Sequence, residues 1–273
     1  MGSGLALRAP RNDSGGRFPR NRLGLRLMDK PLANRLAVVT GASRGIGRAA
    51  ALAFAGAGAH VIALARTQGA LEELDDEIRA AGSSATLVPL DLKDYDALDR
   101  LGATIHERWG KLDILLGNAG LLGEIAPLAH VDQPVWDAVM AVNVTANWRL
   151  IRSLDPLLRK SDAGRAIFLT SGAAHRCLAY WGPYSVSKAA LEALVRTYAA
   201  ETATTPVRVV LVNPGPLRTR MRSAAMPGED PQTLRTPEEL APHFVRLAAS
   251  DWAETGKIYD FPQDRVLTPQ GPG

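Results

Sequence analysis

Tyr184 and Lys188 stand four residues apart in the stretch YSVSK. The residues that follow, AALEALVRTYAAE, are rich in helix formers, so phenol and ammonium share one helical face at its first turn. An amphipathic helix explains such a pair by itself, with Lys188 as a snorkelling surface lysine. Two further residues change the weighing. Ser171 lies thirteen residues before Tyr184, and Asn143 stands in AVNV, inside a helical stretch where Asn is mildly unfavourable. Ser171 alone reads as a cap and Asn143 alone as a helix–helix hydrogen bond. Together the four solve a chemical problem. Hydride transfer between a nicotinamide and an alcohol or ketone requires one proton to move to or from the substrate oxygen. A tyrosine does this when its phenol, with a pKa near 10, is brought toward neutrality, which takes roughly 3–4 kcal/mol of favourable charge interaction. A lysine cation one turn away, near an oxidised nicotinamide, is a source of that interaction in a dry cleft. Ser171 is placed to hold the same oxygen as a second donor.

A nicotinamide dinucleotide needs a phosphate site, and TGASRGIG supplies a candidate. Its glycines, Gly41, Gly45 and Gly47, follow a short apolar run and open an alanine-rich helix. Glycine lets backbone approach a pyrophosphate, and a helix N-terminus offers free N–H groups. The candidate contacts in this turn are Gly41, Ser43, Arg44, Gly45, Ile46 and Gly47. Sites for NAD place an acid about 20 residues past the glycines to bond the ribose 2′-hydroxyl. Here the second apolar run ends in LARTQ, with Ala65 at that place and Arg66 next. Two guanidiniums, Arg44 and Arg66, with no carboxylate suit a 2′-phosphate, so NADP(H) is expected over NAD(H). Asp91, with Leu92 beside it, has two readings: an acceptor for the adenine amino group or a cap for the following helix.

The elements that must position these residues alternate along the chain. Strands are expected at 35–40, 60–65, 85–92, 112–120, 165–171 and 207–215, with a short last one at 256–261. Between them lie helical stretches at 69–82, 95–110, roughly 133–160, and from Tyr184 onward. Leu71, Leu74 and Ile78 fall at helical spacing, and Gly82 is placed to cap. Such alternation with short connections implies right-handed crossovers and one parallel α/β sheet of about seven strands with helices on both sides. Ligands bind at the carboxyl ends of such strands, and the Gly-rich turn, NAG (Asn118, Ala119, Gly120), TSG and NPG all fall there.

At this point the chain resembles the short-chain dehydrogenase/reductase family in its short single-domain, NADP-preferring branch. The resemblance spans about residues 33–262 and rests on TGASRGIG, NAG, Asn143, Ser171, YSVSK and NPG. It implies a Rossmann-like three-layer fold, a nicotinamide cofactor and a tetrad of Asn143, Ser171, Tyr184 and Lys188. Tyr184 would be the acid/base, Lys188 would also bind the nicotinamide ribose, and Asn143 would hold a proton-relay water. Asn118, Ala119 and Gly120 would support the sheet and the adenosine side, while Pro214, Gly215 and Thr219 would close over the nicotinamide end. It also implies homodimers or homotetramers formed through the helices near 133–160 and 184–201. Two regions depart from the family pattern: the ending TGKIYDFPQDRVL, where many members carry Gly-Gly, and a compact basic loop after NPG.

Substrate walls are expected from 121–127, 173–182 and 216–235. His175, Arg176, Tyr180 and Trp181 make the middle segment aromatic and partly basic, suited to a ring or an anionic group; Tyr180 and Trp181 read equally as packing residues. Cys177, the single cysteine, reads as a small buried filler and excludes an intrachain disulfide, which favours a reducing, cytoplasmic setting.

The 273 residues suffice for one large domain, with 46% hydrophobic and 22% charged residues as in ordinary globular proteins. No run of about 18 apolar residues marks a membrane span. The net charge of +4 is a tail property, because residues 1–27 hold six arginines against one acid and leave the remainder near −1. No nucleic-acid-binding face, and no metal site, is therefore expected. Three segments are expected: a disordered extension over 1–30, one oxidoreductase domain over 31–262 and a flexible tail over 263–273. Met28 reads as the start of the natural protein, with a mobile basic arm as the alternative. The function these features support is an NADP(H)-dependent oxidoreductase acting on a carbonyl or secondary alcohol. Two alternatives stand beside it: a non-catalytic NADP(H)-binding regulator of the same fold, and an epimerase or dehydratase, for which the roughly 55 residues after NPG leave little room.

Overall fold

The structure of the protein, a computed structural model, describes residues 30–269. The expected extension therefore lies outside the described residues except for Lys30, as does the end of the tail.

Seven strands lie parallel: β1 (Leu36–Thr40), β2 (His60–Ala65), β3 (Ala85–Pro89), β4 (Ile114–Gly117), β5 (Arg165–Leu169), β6 (Arg208–Asn213) and β7 (Lys257–Asp260). An eighth, β8 (Arg265–Leu267), pairs antiparallel with β7 and closes that edge. The order is β3-β2-β1-β4-β5-β6-β7-β8, a doubly wound sheet whose chain reverses direction between β1 and β4. Residues 265–267 thus belong to the sheet, not to a tail beyond 262. Pro262 turns the chain through a short 3-10 segment, Phe261–Gln263, and Asp264 accepts a hydrogen bond from the Tyr259 hydroxyl at 2.5 Å. A three-residue strand carries too little periodicity to read from sequence. Several strands also stop sooner than expected: β3 at Pro89, β4 at Gly117 and β5 at Leu169, which leaves Asp91, the NAG residues and Ser171 in the turns beyond them.

Both faces are covered, which is why the strands read as continuous apolar runs. On one face Ala37, Val39, Val61 and Ala63 meet Phe54 of α1 (Gly45–Gly56), Leu71, Leu74 and Ile78 of α2 (Gln68–Ala80), and Leu240 and Phe244 of α9 (Pro237–Ala248). On the other, Val38, Ile62 and Leu115 meet α3 (Tyr95–Trp109), α5 (Ala146–Leu158) and α7 (Gly182–Glu201) through Leu98, Leu101, Leu150, Leu154, Leu191 and Val195. Gly82 has φ of +77° just past α2, the left-handed position that ends a helix without strain in glycine.

The helix expected over 133–160 is not continuous. α4 (Gln133–Met140) runs into a π-helical turn, Ala141–Thr145, before α5 begins. The wide turn carries Asn143 into the interior, where it is fully buried.

At the amino ends of the strands, Asp113 is fully buried and ties β1 to β4: it accepts from Leu36 N (2.9 Å), Ser161 Oγ (2.5 Å) and Lys111 Nζ (2.9 Å). Burial pushes its carboxyl up, but the Ser161 hydroxyl, the Leu36 N–H and Lys111 outweigh it and hold the pKa below the ordinary value. The stabilisation is therefore present above the unfolded pKa and is lost as pH falls through the folded one. Asp113→Asn is expected to lower unfolding free energy by about 1–3 kcal/mol at pH 7. The difference from the parent should shrink in acid, as urea titrations at neutral and low pH will read.

Candidate active site

The turn after β1 is held from two sides, by the end of β2 and by the turn after β4. Ala42 N donates to Leu64 O at the end of β2 (3.1 Å). Thr40 Oγ1 accepts from Asn118 N (3.0 Å) and Ala119 N (3.1 Å), and Asn118 Nδ2 donates to Thr40 O (2.8 Å) and Gly41 O (3.4 Å). NAG is thus a brace that fixes the glycine turn to β4. A Cβ on Gly47 would run into Gly41 O and Asn118 Nδ2, so only glycine lets α1 approach this closely. Gly45 is different: φ is +55°, and a Cβ there would meet only Thr219 Cγ2, at 3.7 Å. Gly45 thus faces Thr219 across one van der Waals contact. No side chain caps α1, whose first turn holds no acid. Its N–H groups, with exposed Arg44 at the N-cap and exposed Arg66 after β2, form a donor set with no carboxylate, which fits a phosphate-bearing dinucleotide.

Asp91 settles into the turn after β3, where Oδ1 accepts from Lys93 N (3.0 Å). It does not cap α3; Asp94 does, accepting from Ala97 N (3.0 Å). Leu92 is buried in the hydrophobic cluster on the α3 side of the sheet.

At the end of β5 the reacting residues converge. Ser171 acts on the Tyr184 phenol and favours its ionised form, and Ser171 Oγ accepts from Ala173 N at 3.2 Å. Lys188 Nζ donates to Leu169 O (2.7 Å) and lies 5.6 Å from the centre of the Tyr184 ring, as the four-residue spacing requires. Two of its three N–H bonds remain for other acceptors. Trp181 meets the Tyr184 ring edge-on with centroids 6.1 Å apart. Asn143 has both Nδ2 hydrogens engaged, to Leu121 O (2.9 Å) and Ser187 Oγ (2.9 Å), while Oδ1 accepts from Leu121 N (2.8 Å). Its side chain therefore locks the segment after β4 to α7. A Cβ on Gly120 would lie 3.3 Å from Asn143 Oδ1 and 3.6 Å from Lys188 Nζ, so the two stand side by side.

Burial governs the electrostatics of this pair. Burial pushes the Tyr184 phenol above its ordinary value, opposed by Ser171. Burial also brings Lys188 down to about 8, opposed by Glu192. In the protein without coenzyme the phenol is therefore held above its ordinary value, with burial the larger cause.

The turn after β6 joins the site through Asn213, a residue of NPG outside the expected contacts. Its Oδ1 accepts from Gly172 N (3.1 Å) and Gly215 N (3.3 Å), and Nδ2 donates to Asp260 Oδ1 (2.6 Å). One carboxamide thereby links the Ser171 turn, the Pro214–Gly215 turn and the end of β7. Thr219 caps the short α8 (Arg220–Ala225), accepting from Arg222 N at 3.2 Å. Thr40, Ser187 and Glu192 also brace the site; each lies in or one turn beyond a quoted motif, but only their distant partners show what they do.

Of the expected walls, Ala126 N donates to Tyr180 O (3.1 Å), which brings 121–127 against 173–182. Leu178 and Tyr180 are exposed. Cys177 is exposed as well, contrary to a buried filler: it ends the one-turn α6 (Ala173–Arg176) with φ of +46°, facing solvent.

Comparison with known proteins agrees with this arrangement. Residues 35–230 match the family model for short chain dehydrogenases. The chain belongs to the short-chain dehydrogenase/reductase family. Within that family of oxidoreductases, it is 40% identical over 233 residues to the uncharacterized oxidoreductase YciK of Escherichia coli K12, covering 84% of this chain and 92% of YciK. A short chain dehydrogenase from Shigella flexneri complexed with NADP superposes with a TM-score of 0.82 at 38% identity, over 85% of this dehydrogenase/reductase and 98% of the other. One from Escherichia coli CFT073 complexed with NADPH gives 0.82 at 39% identity, again over 85% and 98%. Among the described residues of this dehydrogenase/reductase, no helix is long and apolar enough to cross a membrane, and no cluster of three or more metal-ligating side chains occurs.

Proposed function

We propose that this protein is an NADP(H)-dependent oxidoreductase that interconverts a carbonyl compound and a secondary alcohol, with Tyr184 as general acid/base. The observation that carries the reading is the meeting of Ser171, Tyr184 and Lys188 at the end of β5, in a sheet whose glycine turn leads into a helix with no side-chain cap and no acid in its first turn. When bound, the nicotinamide supplies or accepts a hydride at the substrate carbon. In reduction, the protonated Tyr184 hydroxyl gives its proton to the substrate oxygen, and water replaces it afterwards. Ser171 donates to the same oxygen and stabilises the charge that develops there. Lys188 holds the nicotinamide ribose with its remaining N–H bonds and steadies the phenolate left behind. Asn143 orders the relay by locking the wall after β4. Gly41, Ser43, Gly45, Ile46 and Gly47 hold the pyrophosphate, Asp91 and Leu92 the adenine, and Pro214, Gly215 and Thr219 the nicotinamide side. The functional unit is one domain, paired with a second copy through α5 and α7, where Trp148 and Val186 are exposed.

NADP(H) over NAD(H) rests on Arg44 and Arg66, neither of which is ion-paired among the described residues, and is supported by the NADP and NADPH bound to the two similar structures. The test follows absorbance of NADPH and of NADH with a panel of ketones, aldehydes and quinones. The parent should consume NADPH. Arg44→Ala combined with Arg66→Ala should raise KM for NADPH about 10- to 100-fold and leave that for NADH within about threefold. Equal losses with both coenzymes, or a parent that prefers NADH, would sink the assignment.

A further inference from the structure

Glu192 is 6% exposed, and every partner of its carboxylate belongs to the site. Oε1 accepts from Thr170 Oγ1 at 2.5 Å, and Oε2 lies 3.0 Å from His175 Nε2. Thr170 immediately precedes Ser171, and His175 follows it by four residues. The carboxylate therefore grips the Ser171 turn on both sides. Glu192 itself stands one helical turn beyond Lys188 on α7, the helix that carries Tyr184. A buried carboxylate is costly unless it is paired. Here the compensation comes from the turn it grips and the ammonium beside it.

Building on the proposed reaction, we propose that Glu192 is a positioning residue: its carboxylate clamps the Ser171 turn to the Tyr184 helix and keeps the buried Lys188 ammonium charged. The surroundings of Lys188 leave Glu192 without a rival. Tyr184 lies on the same helix, the π-helical turn presents the neutral Asn143, and the β4 turn presents Gly120. His175 reaches the lysine only through Glu192, and exposed Arg176 lies over Gly172. Burial already brings Lys188 to about 8, and the charge of Glu192 opposes that fall. Loss of that charge lets the ammonium shed its proton at lower pH.

Two near-isosteric variants separate the clamp from the charge. Glu192→Gln keeps the length and an acceptor for Thr170 but removes the charge. Thr170→Val removes one bond of the clamp and leaves the charge. The first readout needs neither substrate nor coenzyme: the 13Cε resonances of labelled lysine, of which the chain has six, followed against pH, with Lys188 assigned by its absence in Lys188→Arg. In Glu192→Gln the Lys188 midpoint should fall by about one pH unit, and the alkaline limb of kcat/KM for NADPH-driven reduction should fall with it. In Thr170→Val the midpoint should stay and kcat should drop about tenfold, through a looser Ser171. A Lys188 midpoint unchanged in Glu192→Gln overturns the charge role, and full kcat in Thr170→Val overturns the clamp. If the parent reduces no carbonyl compound, the proposed reaction fails while the lysine titration still decides what Glu192 does.

Discussion

With Tyr184 replaced by Phe, NADPH consumption should fall by about 10³-fold or more, while NADPH still binds within about threefold of the parent. The substitution removes one oxygen. The ring keeps its volume, its edge-on contact with Trp181 and its place 5.6 Å from Lys188 Nζ. The proton donor is lost, together with its interaction with Ser171. Because burial keeps the phenol protonated in the protein alone, the deficit should be as large at pH 6 as at pH 8 in the reductive direction. Stopped-flow absorbance of the nicotinamide band measures the rate, and quenching of intrinsic tryptophan fluorescence measures binding. Residual turnover above a tenth of the parent's would remove Tyr184 from the proton path.

Gly47→Ala is expected to abolish coenzyme binding and cost about 1–3 kcal/mol of stability. The added methyl must displace the Gly41 carbonyl and the Asn118 amide, both backbone-tied, so the glycine turn opens and α1 moves off β4. The comparison is Gly56→Ala at the far end of the same helix, where nothing lies within 4 Å of the new atom. That change should leave binding alone and add about 0.4–1 kcal/mol. Thermal melts with and without NADPH resolve both effects. Gly47→Ala with the parent's melting temperature and the parent's coenzyme-induced shift would falsify the close-packing account.

What the sequence revealed, and what it withheld, follow from range. Tyr184 and Lys188 were legible because a four-residue spacing on a helix is local geometry. The glycine turn was legible because a strand, a turn and a helix succeed one another within a dozen residues. The seven parallel strands were legible because burial on both faces leaves unbroken apolar runs. The grip of Glu192 on Thr170 and His175 joins residues 22 and 17 positions apart, and nothing in AALEAL announces it. Asn213, bonded to residues 172, 215 and 260, is illegible for the same reason, although it stands inside a quoted motif. The direction of the Tyr184 shift escaped because spacing reports a neighbouring cation and not the depth at which the phenol is buried. β8 escaped because three residues show no period.

The break between α4 and α5 has a consequence for lineage as well as for packing. A π-helical turn is an α-helix carrying one surplus residue, which the wide turn absorbs so that the helices on either side keep their faces. Val139 before it and Leu150 after it are both buried. Removing a single codon between Ala141 and Thr145 would give an unbroken rod with better local hydrogen bonding. That healed helix would keep its buried faces but withdraw Asn143 from Leu121 and Ser187. Length is therefore constrained at this turn through the burial and bonding of Asn143.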